Sequence, residues 1–70
     1  MRSEISIVLN GEQRVLAGGR TVLDLLQELE LDPRIIVVEV NREIVRQPSL
    51  ETTDLREGDC VELVHFVGGG

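Results

Sequence analysis

The sequence contains no lysine, tryptophan or tyrosine, and it offers one cysteine, one histidine and one phenylalanine. A lone Cys60 makes no disulfide within the chain. With His65 as the sole histidine, the several Cys/His ligands of a zinc site are missing, and no metal is expected. A single thiol fits a reducing compartment. The opening MRSEIS lacks the apolar run of a secretory signal, and no stretch approaches a membrane span in length. A cytoplasmic protein with no membrane partner is therefore expected. All seven basic residues are arginine, so no side-chain amine is available to attack an activated carboxyl group.

Catalytic constellations are equally scarce. Nucleophilic catalysis needs a base within reach of the nucleophile. Cys60 and His65 lie five apart on one presumptive strand, so they point to opposite faces. They read as a small strand residue and a partly covered one. Gly18-Gly19 is too short for a phosphate-binding loop. The chain is expected to be no enzyme by itself and to bind no cofactor. Thirteen acidic residues against seven basic give a net charge of −6. That charge repels phosphate backbones, which argues against nucleic acid, and complements a basic surface on a partner protein.

What remains is a well-patterned small domain. Seventy residues allow one. Residues 5–9 (ISIVL) read as a strand with Ile5, Ile7 and Leu9 on one face, followed by Asn10-Gly11, a strong hairpin signal. EQRVLA returns as a second strand. Thr21 with Asp24 three residues on forms a capping-box variant. Val22, Leu25, Leu26 and Leu29 then mark one face of a helix of about ten residues that Pro33 ends. Glu28, Glu30 and Asp32 crowd its closing turn and read as a solvated face. Residues 35–40 (IIVVEV) are a strand, with Ile36, Val38 and Val40 inward and Glu39 on the wetter side. Asn41-Arg42 turns into a short EIV strand. A polar connection with one helical turn near residues 51–55 precedes the final strand, CVELVHFV. The order fits an α+β, β-grasp fold: a four- to five-stranded mixed sheet, one helix on one face, and the last strand central and parallel to the first. Residues 1–66 form the domain and 67–70 a flexible glycine tail.

The distinctive chemistry lies in that tail. Gly68, Gly69 and Gly70 are thin enough to thread a narrow channel, and Gly70 has no Cβ to shield its carbonyl carbon. If Val61 and Leu63 face the helix, Glu62, Val64 and Phe66 lie on the open face, where an apolar pair beside the tail reads as a partner-binding patch. Phe66 is either such a docking residue or is covered by its neighbours at the sheet edge.

LNGE at the first hairpin, GRTVLDLL opening the helix, VEVNREIV after the third strand and LREGDCVELVHFVGGG at the end resemble the ThiS family of sulfur carrier proteins over essentially the whole chain. IVRQ stands where that family often has IVPR, and Gly68 replaces a frequent alanine or other small residue. The resemblance implies a protein co-substrate. A ThiF-type adenylating enzyme uses ATP to activate the Gly70 carboxylate, a sulfur donor protein converts it to a thiocarboxylate, and thiazole synthase takes the sulfur for thiamin biosynthesis. Two alternatives stay open: a carrier like the small subunit of molybdopterin synthase, and a ubiquitin-like protein modifier or binding module. The glycine run also sets an expectation for motion. Backbone NMR relaxation is expected to give low order parameters for residues 67–70 and rigid values through Leu63; a tail as ordered as the sheet overturns this.

Overall fold

The computed structural model describes residues 4–65. Strand β1 (Glu4–Leu9) and strand β2 (Glu12–Ala17) form a hairpin, followed by helix α1 (Val22–Glu28) and a 3-10 turn, Pro33–Ile35. Strands β3 (Ile36–Val40) and β4 (Glu43–Val45) form a second hairpin; a 3-10 turn, Gln47–Ser49, and a connection lead to β5 (Cys60–His65). The sheet order is β2-β1-β5-β3-β4, with β5 parallel to β1 and antiparallel to β3. The α+β arrangement with a central last strand is the one the sequence pattern implies.

Alternation decides which face is buried. Ile5, Ile7 and Leu9 of β1, Ile36 and Val38 of β3 and Val61 of β5 turn to the same side, where Val22, Leu25 and Leu26 of α1 cover them. Leu50 and Leu55 from the connection close the flank of this core. Both hairpin turns hold their central residues at positive φ, as a type I′ turn requires: 50° and 85° at Asn10 and Gly11, 52° and 74° at Asn41 and Arg42. The second turn does this without glycine.

The start of α1 is closed by two devices. Thr21 Oγ1 accepts from the Asp24 amide at 3.2 Å while Asp24 Oδ2 accepts from the Thr21 amide at 2.9 Å, the expected capping box. The amides of Val22 and Leu23 then donate to the carbonyls of Thr53 and Leu50, both at 2.9 Å, so the connection supplies the remaining acceptors of the first turn. Leu55 in turn donates its amide to the Arg20 carbonyl at 2.9 Å. These bonds explain a correction. The helical turn expected near residues 51–55 is absent, because that backbone is spent on the helix N-terminus; the only helical turn of the connection is Gln47–Ser49.

A second correction concerns the end of α1. The helix has 7 residues and stops at Glu28, well before Pro33. Glu30 adopts φ 59°, and the amides of Glu30 and Leu31 reach back to the carbonyls of Gln27 and Leu26 at 3.1 and 2.9 Å. This is a Schellman closure with glutamate at the left-handed position that usually holds glycine. Pro33 instead begins the 3-10 turn, which draws Ile35 out of the expected strand. The acidic residues there are mostly occupied: Glu28 pairs with Arg20 at 2.6 Å, and Asp32 accepts from the amide and guanidinium of Arg34.

Hydrogen bonding, chiefly from Arg34, lowers the Asp32 pKa to about 2, and the Thr21 amide lowers that of Asp24. Both carboxylates therefore bind their protons more weakly folded than unfolded. The stabilisation they contribute is present above the ordinary carboxylate range of about 4 and is lost as pH falls towards 2. The unusual helix end gives a direct test. Glu30→Gly relieves the left-handed strain of a residue with a Cβ and is expected to stabilise the chain by about 0.5–1 kcal/mol, raising the melting temperature by a few degrees. A lower melting temperature contradicts this account of the closure.

Candidate functional site on the open sheet face

The face of the sheet away from α1 has no covering layer among the described residues. Register places Val37 opposite Val64 and sets Glu39 between Glu62 on β5 and Ile44 on β4. Val64, Ile44 and Val37 are 56%, 58% and 38% exposed. Val15 of β2, opposite Ser6, extends the apolar exposure to the far edge. Glu62 and Val64 lie on this open face, with Val61 buried and Leu63 packed against the core. Phe66, Gly68, Gly69 and Gly70 lie outside the described residues, as does the boundary between domain and tail.

The sequence pattern sets Glu39 on the wetter side of β3, as found, but leaves Val37 and Ile44 unassigned to this face. The signal for Val37 was available: Val37 and Glu39 alternate with the inward Ile36, Val38 and Val40. Ile44 was harder to place, because β4 is too short to show a period. Cys60 is exposed on the same face, beside Glu62 in a shallow depression that Glu39 and Arg42 also line. His65 is exposed, a correction to its reading as a partly covered residue. β1 has already turned away at Asn10, so no strand flanks His65 on that side. Among the described residues no group of three or more His, Cys, Asp or Glu could hold a metal ion. No helix among them is long and apolar enough to cross a membrane.

Two asparagines position β5. The amides of Gly58, Val8 and Asn10 donate in succession to Ser6, Asp59 and Val61 carbonyls at 2.7, 2.9 and 2.9 Å, forming the parallel ladder between β1 and the segment entering β5. The next rung is a side chain: Leu63 donates its amide to Asn10 Oδ1 at 2.8 Å. On the other flank, Asn41 Oδ1 accepts from the Cys60 amide at 2.9 Å while Asn41 Nδ2 donates to Asp59 Oδ1 at 3.0 Å. Each turn asparagine therefore tolerates positive φ and also pins β5.

Comparison with known proteins places this arrangement. The model of the ThiS family matches residues 7–70. A sulfur carrier protein ThiS of Bacillus subtilis is 42% identical over 50 residues, covering 71% of this chain and 76% of that protein. A thiazole synthase of Paramagnetospirillum magneticum is also 42% identical, over 66 residues that make up 94% of this chain but 20% of that enzyme. The chain thus spans about a fifth of the length of that curated relative. The crystal structure of a thiamine biosynthesis protein (ThiS) from Geobacter metallireducens superposes with a TM-score of 0.82 at 29% identity, covering 94% of this chain and 100% of that one.

The side-chain rung can be isolated experimentally. Asn10→Gly keeps the positive φ of the turn and removes only the acceptor, at an expected cost of about 1 kcal/mol. Amide hydrogen exchange is expected to quicken at Leu63 while Cys60, held by Asn41, keeps its protection. Equal acceleration at both amides contradicts separate pinning.

Proposed function

The chain belongs to the ThiS family, and on that premise we propose that it is a sulfur carrier for thiamin biosynthesis whose working group is the carboxyl of Gly70. The observation that carries this reading is the family match running through Gly68, Gly69 and Gly70, on a domain whose described side chains offer no catalytic cluster. The chain acts as a protein co-substrate. A carboxylate oxygen of Gly70 attacks the α-phosphorus of ATP held by a ThiF-type adenylating enzyme, and pyrophosphate leaves. The outer sulfur of a persulfide on a donor protein then attacks the acyl carbon and AMP leaves. A thiol next cleaves the S–S bond of the resulting acyl disulfide, leaving the thiocarboxylate on Gly70 and a disulfide on the donor side. Glycine suits both attacks because its α-carbon carries no side chain to obstruct the carbonyl.

Thiazole synthase is the acceptor of the sulfur in this scheme. Support comes from the two thiazole synthases, of Paramagnetospirillum magneticum and Magnetococcus marinus, that contain a stretch like this chain at 42% and 38% identity. Docking uses the open face, with Val64, Glu62 and Phe66 beside the tail, and the work takes place in the cytoplasm. No ATP binds this chain; it binds the adenylating enzyme.

The test alters the position of the carboxylate alone. Appending one alanine after Gly70 moves it by about 3.5 Å and places a methyl group on the reacting α-carbon. Deleting Gly70 leaves it one residue short. Misplacement of this order is expected to lower the rate of adenylation by about a hundredfold. The buried core is assembled from residues 5–61, so both variants are expected to melt with the parent chain. The assay follows acyl-adenylate and then thiocarboxylate by intact mass, with the ThiF-type enzyme, ATP and a sulfur donor. Parent-like rates in either variant overturn the reading; attachment to larger proteins through an amide points instead to a modifier.

A further inference from the structure

Glu39 and Glu62 stand directly opposite each other on neighbouring strands of the open face. The Asn41 amide donates to the Cys60 carbonyl, so even-numbered residues of β5 direct their backbone groups at β3. Glu62 and Glu39 therefore form a hydrogen-bonded strand pair, with Cα atoms about 5.5 Å apart. Like charges directly opposite in a sheet weaken it. Among the described residues neither carboxylate has an ion-pair partner, although Arg42 lines the same shallow depression. The pair is framed by apolar side chains: Ile44 beside Glu39 in the same row, and Val37 with Val64 in the next.

We propose that this face docks a partner-protein surface that presents one arginine side chain to Glu39 and Glu62, with apolar groups around it meeting Val37, Ile44 and Val64. The proposal rests on the carrier reading above and names what its partner must offer. Charge complementarity selects the occupant. Two carboxylates without an ion-pair partner among the described residues leave a site of charge −2 on a chain of net charge −6. Two carboxylates alone are too few ligands to build a metal cage. A guanidinium fits better: its planar fork can donate to both carboxylates at once, and it gives up water more readily than an ammonium group. Its flat faces also pack against aliphatic neighbours such as Val64 and Ile44. The carboxylate pair thus weakens the free domain and becomes favourable only when the partner's cation arrives. That relation, stability lost in the free chain and recovered in the complex, separates a docking device from an ordinary solvated face.

The experiment measures both sides of that relation in the full chain. Glu39→Gln, Glu62→Gln and the double variant are melted alone and titrated calorimetrically against the ThiF-type adenylating enzyme, and against thiazole synthase, at low and high salt. The double variant is expected to melt about 2–4 °C higher than the parent chain, because the repulsion is gone. It is expected to bind at least about tenfold more weakly, with a shallower dependence on salt. Parent-like affinity overturns the proposal, and so does a lower melting temperature, which shows Arg42 neutralising the pair within the chain. A parent chain that self-associates through this face, with dimers dissolved by the double variant in sedimentation, also overturns it by naming a second copy as the occupant. A parent chain that binds neither enzyme removes the carrier reading along with the proposal. Tight parent binding that ignores the substitutions removes the proposal alone.

Discussion

The fold depends on how β5 enters between β1 and β3. A strand inserted between two hairpins must satisfy backbone groups on both edges at once, and its parallel partner β1 ends before β5 does. Asn10 solves the mismatch by turning the chain away with its backbone and continuing the ladder with its side chain, which takes the Leu63 amide. Asn41 does the equivalent at the other end of β5, where it holds the Cys60 amide and the Asp59 carboxylate. Buried strands tolerate few unpaired backbone groups. These two residues therefore let the central strand run on to His65 with one flank unsupported.

Much of this was legible from residues. The alternation in β1, β3 and β5, the Asn10-Gly11 turn and the Thr21–Asp24 capping box each carry a local signal that tertiary packing did not override. The failures are equally local in origin. Glu30 gives no hint of a helix end, because the left-handed position normally advertises itself with glycine or asparagine. The connection near residues 51–55 has the composition of a helical turn, yet its carbonyls and amides are recruited by the start of α1. No pattern within that segment could reveal a partner thirty residues away. Similarly, β4 is too short for its exposed isoleucine to be assigned a face before its register with Glu39 is known.

The two faces of the sheet differ sharply in what they carry. The helix side carries the buried leucines, isoleucines and valines, along with the closures of α1. The open side carries exposed valine and isoleucine, a carboxylate pair and the cysteine, none of which is needed to fill the core. Substitutions on the open side can therefore change the surface at little cost in packing. The family resemblance seen in LNGE, VEVNREIV and LREGD reflects the other side of this division: those segments contain the turns that hold β5.

The position of β5 also has a consequence during synthesis. Without it, β1 has only β2 for a neighbour and β3 has only β4, so the emerging chain owns two separate hairpins and a seven-residue helix. Isolated hairpins and short helices are marginal in water. The sheet becomes one object only when residues 60–65 have left the ribosome, and the parallel pairing of β1 with β5 closes a loop of some fifty residues in a single late event. A chain cut short before β5 is left as unfolded material for proteolysis. Foldedness thus acts as quality control: a chain stable enough to persist has been translated through β5.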